Sequence, residues 1–230
     1  MNYEQSSEAK EIVIIGAGET AEIVHEYFAH DSPHTVVAFS VETEYRDSDK
    51  LRGLPVLPLE DLKEEYPPDL YSAFVAVSST KLNRVRKRLY KKAKEMGYSF
   101  VSYVSSHAFV WHNVDIGENV FIFENNVIQH QCEIGDNVIL WSGNHIGHQT
   151  EIQEGCFITS HVVISGFCDI GKNSFLGVNA SIGDHISVGK DCVLGAGTVV
   201  HKDIDGGKVY VGNPAEALEA TSYESMGVES

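Results

Sequence analysis

From Val104 onward the chain places an aliphatic residue at every sixth position: Val104, Val110, Ile116, Ile122, Ile128, Ile134, Leu140, Ile146, Ile152, Ile158, Ile164, Ile170, Leu176, Ile182, Val188, Leu194 and Val200. Seventeen matches without a break in register mark an internal repeat. Four residues after each aliphatic stands a mostly small or β-branched residue, such as Val120, Thr150, Cys156, Ser174, Ala180 or Thr198. One residue after it glycine recurs, at Gly117, Gly135, Gly147, Gly171, Gly177, Gly183, Gly189 and Gly195. The period is neither that of a half-buried strand nor that of an amphipathic helix. It suits a short strand plus a turn, with the recurring glycines expected to supply positive φ. Such units coil into a parallel β-helix.

The first hundred residues follow a different rhythm. Glu11–Ile15 reads as a buried strand, and Gly16-Ala17-Gly18-Glu19-Thr20-Ala21 follows it as a GxGxxA turn. Residues 20–30 read as a helix with Ala21, Val24, Tyr27 and Phe28 on one face, and 36–39 as a second strand. Together they form a βαβ unit whose glycine turn sits where a phosphate docks. An NAD site wants an acid at the end of the second strand; Ser40 stands there, with Glu42 two residues on. Two readings of the turn remain: a packing turn, or a nucleotide-diphosphate site without the NAD acid.

Residues 42–53 read as a charged loop, 54–57 as a strand, 59–65 as a short helix and 71–77 as another strand. Residues 81–96 then read as a helix whose polar face carries Lys81, Arg84, Arg86, Lys87, Arg88, Lys91, Lys92 and Lys94. That face reads as solvated; the rival reading sets Lys81 or Arg84 on a ligand phosphate. Past Val200 the repeat is expected to stop, and the tail from Glu216 is expected to be helical or frayed.

Composition narrows the partners. The net charge of −16 argues against an extended polyanion such as nucleic acid. No apolar stretch is long enough to span a membrane, and the polar, acidic start does not resemble a signal peptide. The four cysteines, Cys132, Cys156, Cys168 and Cys192, all occupy the small position of the repeat and read as buried fillers. No CxxC spacing suggests a zinc site, and a reducing cytoplasm fits free thiols.

The hexads resemble the left-handed parallel β-helix of hexapeptide-repeat acyltransferases. There three hexads make one triangular coil, so residues 18 apart stack. The left hand rests on this resemblance, since crossovers are ordinarily right-handed. At the strand spacing of about 4.8 Å, nearly six coils make a prism on the order of 25 Å long. Three further features widen the likeness: the glycine-turn domain, the segment Asn144-His145-Ile146-Gly147-His148-Gln149-Thr150-Glu151-Ile152, and Val211-Gly212-Asn213-Pro214-Ala215 near the end. With them the whole chain resembles bacterial sugar-nucleotide acetyltransferases of the bacillosamine-pathway type, whose relatives include sialic acid O-acetyltransferases.

That resemblance implies a Rossmann-like α/β domain over residues 1–100 that holds a nucleotide-linked amino sugar. It implies a β-helix over 101–215 that holds acetyl-CoA, a tail over 216–230, no metal, and a cytoplasmic homotrimer with clefts between subunits. It assigns the general base to His148, with Gln149 in the place of the family's glutamate. A neutral amide positions an imidazole without stabilising its charged form as a carboxylate does, so either another acid, Glu151 or Glu133, assists, or the base works without one. Gly166 falls beside the thioester, Ala180, Ala196 and Gly197 along the pantetheine arm, and Gly212 and Pro214 at the nucleotide end of the cofactor. Gly16, Ala17, Gly18, Glu19, Ser40 and His130 are the expected substrate contacts. His112, His130 and His148 stack at intervals of 18; His112 reads as structural, and His145 and His161 as core or cleft-wall residues.

The chemistry asks little more. An amine loses a proton as it attacks a thioester, a histidine near neutrality accepts it, and backbone N–H groups hold the oxyanion. The nearest rival is O-acetylation of a sugar hydroxyl. More distant ones are a metal-dependent hydratase on the same solenoid, for which His107 and His112 have an HxxxxH spacing, and a non-catalytic scaffold or sensor.

Overall fold

The computed structural model describes residues 8–229. They gather into two compact units: one runs to Ser78 and resumes over Val85–Tyr103, and the other joins Ser79–Arg84 to the chain from Val104 onward.

In the first unit, β1 (Glu11–Ile15) leads through the glycine turn into α1 (Glu19–Asp31) and returns as β2 (Thr35–Val41). A hairpin of β3 (Lys50–Leu51) and β4 (Leu54–Pro58), a helical turn α2 (Leu62–Glu65), β5 (Ser72–Val75) and α3 (Arg84–Glu95) follow. The sheet order is β3-β4-β2-β1-β5, parallel except for the hairpin edge. The expected βαβ unit is therefore present, with the run Ile12–Ile15 fully buried in a strand between β2 and β5. The hairpin was not expected: residues 42–53 read as a loop, yet Lys50 and Leu51 pair with Pro55 and Leu54.

In the second unit, seventeen two-residue strands, β6–β22, recur every six residues from Tyr103–Val104 to Val199–Val200, each ending on the repeat's aliphatic. Neighbours 18 residues apart pair in parallel, as in Glu133↔Glu151 and Ile146↔Ile164. The strands line three faces, one sheet each. Of the aliphatic column all but Ile116 are buried, and they form one continuous core.

The recurring glycines act differently from expectation. They do not carry the positive φ, which falls two residues later, at Asn119, Asn125, Gln131, Asn137, Gly143, Gln149, Gly155, His161, Phe167, Asn173, Asn179, His185, Asp191 and Gly197. Those residues turn the corners in the left-handed region, which asparagine tolerates best among non-glycines. The expected turn glycines instead allow coils to approach. A Cβ on Gly135 would lie 2.7 Å from Glu154 N, and one on Gly147 2.4 Å from the Ser165 carbonyl carbon.

The small position also does more than fill. Cys132 Sγ, Thr150 Oγ1, Cys168 Sγ and Ser174 Oγ donate to the carbonyls of Gly147, Ser165, Gly183 and Gly189, each 15 residues on. These bonds satisfy carbonyls in the next coil that would otherwise be buried without a donor. All four cysteines are free and buried, as expected.

The coil continues past Val200. Ile204 bridges Val188, and β23 (Lys208–Val211) pairs with β21 in a turn shortened to 16 residues, Val193↔Val209. The tail is a strand rather than a frayed helix: β24 (Glu216–Thr221) pairs antiparallel with β23 and ends in α4 (Ser222–Ser225), which Thr221 caps.

Helix α3 starts at Arg84, not Lys81. Lys81, Leu82 and Asn83 hold φ of 50°, 49° and 64°, and Leu82 is buried in a cluster with Val193, Val209 and the partly buried Met226. Arg84 Nη2 donates to Asp191 Oδ1 at 2.6 Å, and Tyr223 donates to Asp191 Oδ2 at 2.8 Å. Arg84 is thus occupied inside this unit. Among the described residues no helix is long and apolar enough to cross a membrane.

Candidate active site

The coil's three corners carry different chemistry. One, marked by Gln131, Gln149, Phe167 and His185, holds His130, His148 and Gly166 in the preceding column. The His130 and His148 rings stack at 5.4 Å and 14°, and the Phe167 ring meets His148 edge-on at 5.0 Å. His148 is half-buried while His130 is exposed. A Cβ on Gly166 would lie 2.7 Å from His148 Cε1 and 2.8 Å from Nε2. Glycine at 166 therefore makes the room in which the imidazole sits.

The partner of the imidazole differs from the expected one. Gln129 Oε1, in the coil before, lies 3.1 Å from His148 Nδ1 and 2.9 Å from the His148 backbone N. Gln149 occupies the corner with φ of 55°, is exposed, and donates its backbone N–H to His130 O at 3.0 Å. Being next in sequence across a sharp corner does not bring its amide to the ring. Glu133 and Glu151, the other expected helpers, lie on the next face, stacked with Asp115 and Asp169. Burial, then Asp169 and Glu133, push the Glu151 carboxyl above its usual range.

A second corner holds Ala196 and Gly197, both exposed, the latter with φ of 69°. The Gly212–Pro214 turn lies close by in the chain's pairing: Val199 N–H donates to Gly212 O at 2.9 Å, and Ala215 N–H to Val199 O at 2.8 Å. Four of the expected cofactor residues are thus brought together. Ala180 is not among them; its methyl is fully buried in the coil core, because 180 is a small inward position of the repeat. The two corners flank one face, on which Phe109 and Val163 are each 43% exposed. His145 lies in the same face, and the His161 ring packs over Gly143, whose Cβ would be 2.7 Å from His161 Nδ1.

In the α/β unit the two glycines of the turn differ. Gly16 has φ of 132°, and a Cβ there would lie 2.4 Å from Ala76 O, so the chain itself demands glycine. Gly18 is the N-cap of α1, and a Cβ there meets nothing within 4 Å. Ala17 is half-buried and Glu19 exposed beside it. Ser40 is fully buried, and its carbonyl accepts the Gly16 N–H at 2.7 Å, so its backbone braces the turn. Glu42 is held by Arg88 through two hydrogen bonds, at 2.6 and 2.7 Å, which keep its carboxyl below the usual range despite partial burial.

Comparison with known families matches both parts. Residues 11–93 match the PglD N-terminal domain, 113–148 and 132–166 the bacterial transferase hexapeptide (six repeats), and 169–202 the hexapeptide repeat of succinyl-transferase. The chain carries a PglD-type N-terminal domain on a hexapeptide-repeat coil. Its coil is accordingly the left-handed parallel β-helix of that superfamily.

No functionally curated protein sequence matches. Among solved structures, a histidine-to-asparagine mutant of perosamine N-acetyltransferase from Caulobacter crescentus, in complex with CoA and GDP-perosamine, is 27% identical with a TM-score of 0.81, over 94% of this chain and 100% of that one. The acetyltransferase domain of PglB from Neisseria gonorrhoeae, in complex with acetyl coenzyme A, is 25% identical with a TM-score of 0.80, over 92% of this chain and 100% of that one. WeeI from Acinetobacter baumannii, at 22% identity and a TM-score of 0.77 over 92% of this chain and 100% of that one, shares the fold.

Proposed function

We propose that the protein is an acetyl-CoA-dependent N-acetyltransferase acting on the amino group of a nucleotide-linked amino sugar. The observation that carries this reading is the likeness, over 94% of the chain, to an N-acetyltransferase in complex with CoA and GDP-perosamine. His148 in its Gly166 niche adds a base of suitable chemistry.

In the reaction the sugar nitrogen attacks the thioester carbonyl carbon and a C–N bond forms. His148 Nε2 takes the ammonium proton as nitrogen becomes positive. The Gly166 N–H, at the same corner, is the oxyanion donor of this reading. The tetrahedral intermediate then collapses, the C–S bond breaks, and the proton passes from His148 to the leaving thiolate, giving CoA. Exposed Ala196, Gly197, Gly212 and Pro214 form the cofactor track. The open space over Gly18 and the start of α1 suit the diphosphate of the sugar nucleotide, with Gly16 fixing the turn beneath.

The reading includes a homotrimer. The base corner and the cofactor corner flank an exposed apolar face with Phe109 and Val163, so a neighbouring prism laid on that face covers apolar surface and closes both edges of the site.

The test is thiol release from acetyl-CoA with a panel of GDP-, UDP- and dTDP-linked amino sugars. His148→Asn is expected to lower kcat by about 10²–10⁴ while acetyl-CoA affinity is retained. A panel in which no amino sugar nucleotide releases thiol overturns the activity, and a fully active His148→Asn overturns the base.

A further inference from the structure

We infer that Gln129 is the positioning residue that sets the tautomer of His148, in the place the resemblance gave to residue 149. The inference rests on the proposed role of His148 as base, and it goes further by specifying which ring nitrogen does the work and what holds it.

The His148 backbone N–H can only donate, so the Gln129 atom 2.9 Å from it is the carbonyl oxygen and not the amide nitrogen. The same oxygen lies 3.1 Å from His148 Nδ1. An oxygen of this kind only accepts, so Nδ1 carries the ring proton. A neutral imidazole has one N–H, which leaves the lone pair on Nε2. The missing side chain of Gly166 makes room for the ring along its Cε1 and Nε2 atoms, where a Cβ would come within 2.7 and 2.8 Å. One amide thus anchors the backbone and ring of the base, fixes the proton on the far nitrogen, and leaves the near one basic.

The surroundings of the ring decide what the amide's neutrality means. His130 stacks against it at 5.4 Å and is itself in contact with Gln131 Oε1 at 3.3 Å. Phe167 meets it edge-on at 5.0 Å, and the Phe167 ring in turn stacks on His185 at 4.5 Å. The titratable groups in this row are therefore histidines, His130, His148 and His185, and the acceptor at Nδ1 is uncharged. Orientation here comes without a fixed negative charge beside the base. A carboxylate in the same place would favour the protonated ring and raise its pKa.

The experiment is the pH profile of kcat/KM for full-length wild type, Gln129→Leu and Gln129→Glu, with acetyl-CoA and the acceptor found by the thiol-release panel. Gln129→Leu leaves Nδ1–H without its acceptor and is expected to lose about 10–100-fold in kcat, the worth of a hydrogen bond to a group that becomes charged. Its KM for both substrates should stay within about twofold. Gln129→Glu keeps the acceptor and should keep most of kcat at the plateau. Its acidic limb should move up by about one pH unit, because the base must be deprotonated to act and its pKa is now higher. An acidic limb in Gln129→Glu that stays in place overturns the assignment, as does Gln129→Leu with kcat within twofold of wild type. The glutamate variant keeps the test decisive where the leucine variant fails to fold. Full activity in His148→Asn would instead remove the base reading itself, so the two failures are told apart.

Discussion

Gly166→Ala separates the work of a site glycine from that of a structural one. A methyl at 166 would lie 2.7 Å from His148 Cε1, 2.8 Å from Nε2 and 3.1 Å from Nδ1. Favourable contact begins near 3.5 Å, so the ring must retreat by about 0.8 Å. The imidazole hangs on side-chain torsions, so it swings while the backbone stays. The Nδ1 bond to Gln129, already 3.1 Å long, opens in the process. Misplacement of this size costs on the order of 10² in rate, with little change in stability. Gly147→Ala is the contrasting variant. Its methyl would lie 2.4 Å from the Ser165 carbonyl carbon and 2.5 Å from Gly166 N, which are backbone atoms of the next coil. Such overpacking costs about 1–3 kcal/mol, or several degrees in Tm for a chain of this size. Thiol-release kinetics and thermal melts on both variants give the comparison. If Gly166→Ala keeps kcat within twofold of wild type, the ring does not act from the niche over residue 166 and the geometry of the base is misread.

Two further outcomes follow. Light scattering should give about three times the 25.3 kDa chain mass, and a stable, active monomer would remove the reading that a second prism completes the site. Glu42→Gln should lower stability at pH 7 by at most about 1 kcal/mol, since Arg88 is half open to solvent. Arg88 holds the Glu42 carboxyl below its usual range, so this stability is present above the unfolded value near pH 4.3 and lost as pH falls through the lower folded value. The gap between wild type and Glu42→Gln in denaturant melts should therefore close as pH falls below the unfolded carboxylate value of about 4.3; a gap unchanged by pH would mean the ion pair contributes nothing.

What the sequence disclosed depends on whether a signal is written along the chain or across it. The aliphatic column repeats one chemical type at one spacing, so the coil's core and its 18-residue register were legible. The glycines after it were visible but their purpose was not, because close approach and positive φ both select glycine. The corner residues carried a readable signal: Asn119, Asn125, Asn137, Asn173 and Asn179 fall in one column of the repeat, and asparagine is the non-glycine residue that best tolerates the left-handed region. Ala180 and Ser40, expected at ligand contacts, are fully buried in the protein, and the local pattern already marked 180 as an inward position and 40 as the end of a buried strand. The partner of His148 is the instructive case. In a coil of 18 residues a side chain faces those about one coil away, whereas its sequence neighbour can stand across a corner. Gln129, 19 residues before His148, meets the imidazole for that reason, and Gln149 does not. Where the repeat period is known, the residues one period away and one step to either side are therefore the ones to inspect first around any candidate base on such a coil. Adjacency along the chain, which motif reading relies on, is the weaker guide here.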